Sequence, residues 1–199
     1  LCMARGLEYL DAMRFIHSAF KSQNVLLDDK YNAVVCDFGI SRQIGPKMTC
    51  ELGTAQWTAP EVLVTDKNAP NYDNSADTYS YSIVLWEMIS KKLPYQGMYP
   101  VQAVFNVLTK GARPEFPTGD QAPPAPLKKL IEQCWRQDPN ERPSFDEIVN
   151  RLKTDKKFIT KNINEKLYES YIRYIDQQEQ HNLKAKVTPK FKELSLEPI

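Results

Sequence analysis

Three short clusters in this chain combine residue types and spacings that could do chemistry. They read HSAFKSQNVLL over residues 17–27, DFG over residues 37–39 and GTAQWTAPE over residues 53–61. They contain polar and ionisable side chains, among them the amide of Asn24 and the carboxylate of Asp37. Each cluster alone would be a weak signal, because short motifs arise by chance. Their order and separations are the informative feature.

The segments between the clusters predict the elements that must position them. Apolar runs over residues 25–27 and 33–36 are separated by the turn-rich residues 28–32, which predicts a β-hairpin between the first two clusters. Residues 39–57 are polar and irregular, and a structureless stretch of that length inside a compact domain is usually functional. Upstream, apolar residues at helical spacing over residues 2–10 predict the end of an amphipathic helix.

Helices dominate the structure predicted after the third cluster. Residues 79–89 are apolar on nearly every side, which predicts a helix buried at the centre of the fold. The other predicted features are a helix over residues 101–110 that stops at Gly111, a proline-rich loop over 114–126, an apolar helix face over 127–135, and a capping box of Ser144 and Glu147 that opens the last packed helix. This pattern predicts a mainly α-helical fold.

Beyond residue 153 the composition becomes polar and charged, and this change predicts a domain boundary. We expect residues 1–153 to form one packed domain and residues 154–199 to form a C-terminal extension that is partly helical and then disordered. The apolar residues that predict one docking helix in the extension are Tyr168, Tyr171, Ile172 and Ile175.

The composition excludes several functional classes. With 26 Lys plus Arg against 25 Asp plus Glu, the formal net charge is +1, so the chain has no electrostatic footprint for nucleic acid. No apolar run approaches the roughly eighteen residues of a membrane span, so we expect no membrane contact by this segment. Four cysteines without a CxxC pair, and only two histidines, argue against a zinc site and a disulfide framework. Reduced thiols predict an intracellular, cytoplasmic protein.

Taken together, the three clusters resemble the catalytic loop, the DFG motif ending at Gly39 and the APE motif of the protein-kinase family. The separations from Asn24 to Asp37 and from Asp37 to Glu61 fit that family's hairpin and activation segment. The resemblance covers about residues 1–153. It implies the C-terminal lobe of the protein-kinase-like (α+β) fold, mainly α, with helices around a buried central helix and a small β-hairpin at the cleft.

Further residues indicate the subgroup. Lys21 in the catalytic loop and Thr54 in the third cluster resemble serine/threonine-directed kinases. Ser22 and Trp57 are most similar to the corresponding residues of the tyrosine-kinase-like group. We therefore interpret the chain as a tyrosine-kinase-like serine/threonine kinase domain.

The resemblance implies roles for several side chains at the cleft. Asn24 and Asp37 correspond to the two magnesium ligands, and Lys21 corresponds to the residue that contacts the transferred phosphate. Leu26 corresponds to the apolar floor beneath the adenine. These residues imply that ATP and Mg²⁺ bind to the intact protein, whereas neither is expected to bind tightly to this chain alone.

Other positions have structural roles by the same resemblance. His17, Phe38 and Asp77 correspond to the stacked regulatory spine of the larger lobe, and Asp77 also corresponds to the aspartate that bonds to the catalytic-loop backbone. Arg142 corresponds to the arginine that pairs with the APE glutamate, here Glu61. These residues imply a lobe that folds.

The catalytic loop departs from the family pattern at two positions. Kinases of this type carry His-Arg-Asp there, whereas this chain has His17, Ser18 and Ala19. The missing aspartate accepts the proton of the substrate hydroxyl and orients that hydroxyl, which is typically worth about 10² to 10⁴ in rate. A methyl group can do neither. The arginine missing at Ser18 normally clamps a phosphate on the activation segment, where Thr49 and Thr54 are the candidate hydroxyls.

The chain contains neither a GxGxxG loop nor a strand lysine of the VAIK type, so we expect the smaller lobe of the domain to be missing from this segment. The leading hypothesis is a catalytically impaired pseudokinase that acts in signalling by binding a protein partner. The alternative is an active protein serine/threonine kinase with low activity once the smaller lobe is present, acting on a protein substrate. The third hypothesis is a fragment without function.

Overall fold

The computed structural model describes residues 1–39, 41–43, 55–64, 73–158, 166, 168–174 and 177. The chain divides into two compact units, Leu1–Phe158 and Ile159–Ile199. The assignment of residues 1–153 to one domain and residues 154–199 to an extension stays a prediction.

The first unit is mainly helical in the residues that the structure describes. Its α-helices are α1 (Cys2–Ala12), α2 (Pro60–Leu63), α3 (Ser75–Ser90), α4 (Pro100–Lys110), α5 (Ala125–Cys134) and α6 (Phe145–Thr154). Its short strands are β1 (Phe15–Ile16), β2 (Val25–Leu27), β3 (Ala33–Val35) and β4 (Arg42–Gln43). Turns of 3₁₀ helix lie at Ser22–Asn24, Gly119–Gln121, Pro139–Glu141 and Lys156–Phe158. The predicted fold class, mainly α with a small hairpin, is confirmed.

Helix α3 lies at the centre of the core because its side chains are apolar or small on nearly every side. Residues 76–86 are all buried. Burial of each large apolar side chain contributes roughly 1.5–3 kcal/mol. The helix ends at Lys91, which adopts a left-handed conformation (φ 55°) and donates its N–H to the Glu87 carbonyl. The predicted central helix is therefore confirmed, and it begins one turn earlier than expected.

Helices α1, α5 and α6 contribute buried residues to the same core as α3. Helix α5 packs on α3, while α1 packs on both α6 and β3. Their fully buried apolar residues include Leu7, Leu130, Ile131, Phe145 and Ile148. The close approach of α1 to β3 leaves little room for a side chain at Gly6, because a Cβ atom there would lie 3.0 Å from Cγ2 of Val35.

The predicted β-hairpin is present. Strands β2 and β3 pair antiparallel, with Val25 opposite Val35. The carboxylate of Asp28 closes the turn by accepting hydrogen bonds of 2.8 Å from the N–H groups of Lys30 and Asn32. An aspartate at the first position of a turn commonly bonds to the backbone in this way, which is why these polar residues end the apolar run.

The expectation that residues 39–57 are structureless was wrong at one place. Strand β4 pairs antiparallel with β1, with Ile16 opposite Arg42. This pairing uses backbone groups and needs no alternating apolar pattern, so a reading of periodicity does not detect it. Residues 40 and 44–54 lie outside the described residues.

The termini of α4 and α6 follow the local sequence signals, except that one predicted capping contact is replaced by another. Gly111 ends α4 as predicted, with φ 61° and its N–H bonded to the Asn106 carbonyl. The Ser144 hydroxyl accepts the Glu147 N–H at 3.3 Å, which is the first half of the predicted capping box. The second half differs, because the Glu147 carboxylate accepts a hydrogen bond from Arg151 one turn later.

In the second unit, residues 168–174 are helical. They include the predicted helix positions Tyr168, Tyr171 and Ile172, whereas Ile175 lies outside the described residues. Across the described part of both units, no helix is long and apolar enough to cross a membrane.

Three of the four cysteines lie in the described residues. Cys2, Cys36 and Cys134 carry free thiols. Burial raises the pKa of the Cys134 thiol to about 12, so this side chain behaves as a small apolar core residue.

Candidate functional site

The carboxylate of Asp77 holds the catalytic-loop segment on α3. Its two oxygens accept hydrogen bonds from the backbone N–H groups of His17, at 2.6 Å, and Ser18, at 3.0 Å. Asp77 lies in the first turn of α3 and is buried. Ser18 adopts a left-handed conformation (φ 66°), which costs a non-glycine residue roughly 1–2 kcal/mol. The conformation of the loop therefore depends on a residue distant in sequence.

The pKa of Asp77 is subject to opposing influences. Burial raises it to about 7, and the nearby carboxylate of Asp11 adds to the rise, while the His17 and Ser18 N–H donors lower it. Asp11 itself accepts a hydrogen bond from the Asn74 side chain. The carboxyl that anchors the loop consequently changes its charge near neutral pH.

His17 connects the catalytic loop to the DFG segment. Its Nε2–H donates to the carbonyl of Cys36 at 3.0 Å, and its Nδ1 accepts the N–H of Ala19 at 3.4 Å. Because a carbonyl can only accept, these contacts place the proton on Nε2 of a neutral ring. Burial lowers the pKa of His17, which favours the same neutral form. The ring also contacts Phe38, with 5.4 Å between ring centroids.

Asn24 closes the catalytic-loop segment onto Ala19, the position at which the resemblance implies an aspartate. Its side-chain Nδ2 donates to the carbonyl of Ala19 at 2.9 Å, and its backbone N–H donates to the carbonyl of Lys21 at 3.0 Å. Since the nitrogen of the amide is engaged, the Oδ1 atom is the one that could bind a cation. Lys21 is half-buried and precedes the 3₁₀ turn in an extended conformation.

The hairpin brings the two candidate magnesium ligands to one end. The Cys36 N–H donates to the Asn24 carbonyl at 3.0 Å, which extends the pairing of β2 and β3 by one residue. Asn24 and Asp37 therefore lie next to this bond, at the same edge of the hairpin. Asp37 adopts φ 65°, a left-handed conformation in which Asp and Asn are enriched, and the Gly39 N–H lies 3.5 Å from its Oδ1 atom.

The chemistry of these ligands fits magnesium with a nucleotide. Within the described ranges, no three His, Cys, Asp or Glu side chains come close enough to hold a metal ion by themselves. Asn24 and Asp37 offer two oxygen ligands from one end of the hairpin. Mg²⁺ in nucleotide sites is usually bound by one or two protein ligands, with phosphates and waters completing the octahedron. The residues present therefore fit a metal that arrives with a polyphosphate.

The position expected beneath the adenine is apolar and open to solvent. Leu26 on β2 lies directly opposite Val34 on β3, and their side chains are 56% and 47% exposed. Residues opposite each other in an antiparallel pair share one face. Phe38, at the same edge, is 50% exposed. This apolar face could receive a planar ring.

A buried ion pair attaches the third cluster to the end of the core. The guanidinium of Arg142 donates to both carboxylate oxygens of Glu61, at 2.6 and 2.8 Å. The Arg142 side chain is fully buried and also donates to the carbonyls of Ser75 and Arg136. It lies 5.2 Å from the ring centroid of Tyr79. The pairing implied by the resemblance is thus present, with the extra partners that a buried cation needs.

Glu87 is a residue of the site that the sequence reading missed. It lies on α3, and its carboxylate accepts the Ser22 hydroxyl at 3.0 Å and the Trp57 indole N–H at 2.7 Å. Burial raises the pKa of Glu87, while these two donors lower it. Glu87 therefore connects the catalytic loop to the third cluster. The available signal was that it is the one acidic residue in the otherwise apolar stretch 79–89.

The candidate phosphate switch predicted from the sequence has two parts: the hydroxyls that could be phosphorylated, and the position that would bind the phosphate. Thr49 and Thr54 lie outside the described residues, so their role stays a prediction. Ser18, at the position of the missing arginine, has a buried hydroxyl without a hydrogen-bond partner among the described residues. That hydroxyl borders a small polar cavity also lined by Thr58 and Ser80.

Comparisons with known proteins agree with this arrangement. The family model for protein tyrosine and serine/threonine kinases matches residues 1–152. The chain is 44% identical over 151 residues to a probable serine/threonine-protein kinase of Dictyostelium discoideum, a match that covers 75% of this chain and 11% of the relative. It is 41% identical over 154 residues to serine/threonine-protein kinase STY17 of Arabidopsis thaliana, covering 76% of this chain and 26% of the relative.

A further relative is serine/threonine/tyrosine-protein kinase HT1 of Arabidopsis thaliana, 43% identical over 151 residues, with 75% of this chain and 37% of the relative covered. The chain therefore spans between about a tenth and a third of the length of these relatives. The matched segment, residues 1–152, contains the catalytic loop, the hairpin, Asp37 and the buried pair of Glu61 with Arg142. On this match over most of its length, the chain belongs to the protein tyrosine and serine/threonine kinase family.

Proposed function

We propose that this chain is part of a tyrosine-kinase-like serine/threonine kinase domain that is impaired in phosphoryl transfer and acts in signalling by binding a protein partner. The observation that carries the proposal is Ala19 at the place of the catalytic aspartate, in a loop that is otherwise in register. The retained residues Lys21, Asn24 and Asp37 support nucleotide binding, and the missing carboxylate argues against efficient catalysis.

The contacts of the loop support this interpretation of Ala19. The backbone of His17 and Ser18 is bonded to Asp77, and Asn24 bonds to the carbonyl of Ala19 itself. A shifted register would break these bonds. We therefore interpret Ala19 as a true loss of the carboxylate at this position, with no neighbouring residue of the loop supplying it.

No described carboxylate that bonds to the catalytic loop is available as a replacement. Asp77 uses both oxygens for backbone N–H groups of the loop. Glu87 uses both oxygens for Ser22 and Trp57. A general base needs a free oxygen within hydrogen-bond reach of the substrate hydroxyl. Loss of this role leaves roughly 3–5 kcal/mol of the barrier unsupported.

The retained half of the site favours nucleotide binding over a purely structural role. Asn24 and Asp37 would hold Mg²⁺, Lys21 would contact the terminal phosphate, and Leu26 would support the adenine. When bound, the metal would neutralise charge on the phosphate oxygens. These residues would position ATP, so they also support the alternative of a kinase with low activity.

The experiment compares the natural polypeptide that carries this chain with its Ala19→Asp variant. Transfer of labelled γ-phosphate to a serine/threonine peptide and to the protein itself is measured with Mg²⁺. We expect the variant to be at least about 10²-fold faster, because the general base and the orienting group are restored together. An Asp37→Asn change in the Ala19→Asp background is the control and should abolish the gain.

The other hypotheses give different results in the same assay. Equal rates for the natural protein and Ala19→Asp, both well above the Asp37→Asn control, would establish the active kinase. Absence of transfer in both, together with no effect of Mg²⁺ and ATP on the melting temperature, would favour a fragment without function. The expected intracellular, cytoplasmic location belongs to this proposal and is tested by imaging the tagged natural protein.

A further inference from the structure

An exposed apolar surface lies on the opposite side of α4 from its buried face. Ala103 and Val107 are buried with Tyr95 and attach the helix to the lobe. Val101 and Phe105 are one turn apart on the other side, and their side chains are 75% and 59% exposed. Exposed apolar side chains in one row indicate an interaction surface more strongly than single ones do.

The centre of this surface is a shallow, open groove. A groove of about 500 Å³ is lined by Met98, Val101, Gln102, Phe105 and Asn106. The side chain of Met98 is held in place on one wall of this groove, because the side-chain amide of Asn106 contacts its sulfur at 3.8 Å. We call these five residues the α4 groove. Its volume is that of a site for a few side chains of a partner.

The sequence segment that contains the α4 groove carries charge of one sign. Residues 88–112, which contain the groove, include three lysines and no Asp or Glu, although the whole chain is nearly neutral. Lys110 continues the row of Gln102 and Asn106 at four-residue spacing, so it lies at the C-terminal end of the groove. Lys91 and Lys92 are exposed, on the loop that Tyr95 holds against α4.

From this surface we infer that the α4 groove docks a protein segment whose apolar anchor residues are flanked by aspartate or glutamate. The inference rests on the proposed binding role, because it names the surface and the kind of partner that this role would use. Apolar anchors would fill the space between Met98 and Phe105. Acidic flanks would complement Lys110 at one end and the lysines of the preceding loop.

Two other occupants fit less well. A membrane surface would contact Val101 and Phe105 but would leave the centre of the groove unfilled, and stable attachment of an interfacial helix uses a larger basic cluster. A second copy of this chain, paired through the same face, would bring six lysines and no carboxylate from residues 88–112 into one interface. Like charges oppose that pairing.

The test uses the full 199-residue chain and a displayed library of random peptides of about 16 residues, with measured binding of the selected peptides. We expect selected peptides to combine apolar residues with Asp or Glu. Their affinity should fall at least about tenfold on the double change Val101→Glu and Phe105→Glu. It should fall by about two- to tenfold on Lys110→Glu, and it should weaken with added salt.

Matched controls carry the same chemical changes elsewhere. Leu27→Glu introduces a charge at an exposed leucine of the hairpin, and Lys129→Glu reverses an exposed lysine of α5; neither should alter peptide affinity. Circular dichroism and melting temperature establish that each variant folds. Failure to enrich any peptide, peptides without acidic residues, or affinity unchanged by Val101→Glu and Phe105→Glu would each overturn the inference.

Two further measurements test the other occupants. Binding to phosphatidylcholine vesicles with added phosphatidylserine, or dimerisation measured by light scattering, would overturn the inference if the α4-groove variants abolished it and peptides did not compete. The phosphoryl-transfer comparison of Ala19 with Ala19→Asp is independent of these results. The docking inference can therefore fail while the impaired-kinase proposal stands, and the reverse also holds.

Discussion

The side chain of Asn24 donates a hydrogen bond of 2.9 Å to the backbone carbonyl of Ala19. This bond joins a candidate magnesium ligand to Ala19, the position at which our proposal has the catalytic aspartate replaced. Because it uses the backbone of residue 19, it is insensitive to the side chain there. On the proposed function, the loop therefore keeps its conformation for binding a nucleotide although an alanine stands at residue 19.

Nucleotide binding should survive without catalysis. We expect Mg²⁺ with ATP to raise the melting temperature of the natural polypeptide that carries this chain, by an amount that grows with the logarithm of ligand concentration above Kd. Asn24→Ala or Asp37→Asn should remove most of the shift, whereas Lys129→Ala on α5 should leave it unchanged. An equal shift in the Asp37→Asn protein would contradict the assignment of Asp37 as a magnesium ligand.

Loss of the buried partner of Arg142 should be costly. We expect Glu61→Gln to lower the free energy of unfolding by about 3–5 kcal/mol, because it leaves a buried guanidinium without its counter-charge. The matched control is Glu141→Gln, which removes an exposed pair with Arg136 and should cost at most about 1 kcal/mol. Chemical denaturation of both variants gives the comparison, and similar losses would argue against a special role for the Glu61 pair.

The stability of the lobe should depend on the ionisation of Asp77. Its folded-state pKa of about 7 lies above the value of 3.8 for an unperturbed carboxyl, so the folded state binds more protons than the unfolded state between these values. The contribution of Asp77 to the free energy of unfolding should therefore decrease as pH rises from about 4 to about 7.

This pH dependence can be isolated with one substitution. The difference in free energy of unfolding between the natural chain and Asp77→Asn should change through that window and level off above about pH 8. The lowered pKa of His17 acts in the opposite direction, and it cancels in the difference if His17 is unchanged. A difference that is constant from pH 4 to pH 8 would contradict the raised pKa.

Glu87 should couple the catalytic loop to the third cluster. In a double-mutant cycle of Glu87→Gln with Trp57→Phe, we expect a coupling energy of about 1–2 kcal/mol, since the indole N–H donates to a partly buried carboxylate. The pair of Lys129→Ala with Trp57→Phe is the control, because Lys129 is exposed on α5, away from the Glu87 contacts. Additive effects of Glu87→Gln and Trp57→Phe would exclude the coupling.

The exposed apolar face of the hairpin should promote self-association of this chain. Replacing Leu26 with Ser and Val34 with Thr removes two side chains that are about half exposed. Light scattering of the concentrated chain should fall in this variant, because contiguous exposed apolar surface drives association. The α4-groove change Phe105→Glu is the comparison. A larger decrease in light scattering for Phe105→Glu would assign the self-association surface to α4 instead of the hairpin.

Local sequence predicted most of the elements. The buried helix over residues 79–89, the hairpin closed at Asp28 and the helix end at Gly111 were predicted because each depends on residues within a few positions of one another. One local signal of this kind, the second half of the capping box, disagreed with the structure because of a competing contact. Glu147 bonds to Arg151 one turn later instead of the cap.

Local sequence could not predict the contacts that join the clusters. The pairing of β1 with β4 uses backbone atoms only, so it leaves no side-chain pattern to read. Glu87 has two partners from separate segments, and a single carboxylate on an apolar helix does not identify them. The α4 groove was also missed, because Val101 and Phe105 have the same apolar character as the core residues beside them.

The sequence by itself determined the family, the helices and the absence of a carboxylate at Ala19, because motif order and helical periodicity are written in neighbouring residues. The family resemblance also implied that Asp77 bonds to the catalytic-loop backbone and that Arg142 pairs with Glu61, whereas tertiary structure alone decided the geometry and burial of these contacts. His17 bonds to Asp77 across 60 residues and Glu61 to Arg142 across 81. Such bonds form only when chain folding brings the two distant partners together, and burial then sets their charge and strength. The bonds of Asp77 and Asn24 to the backbone of residues 17–19 therefore hold the loop in place with an alanine at residue 19.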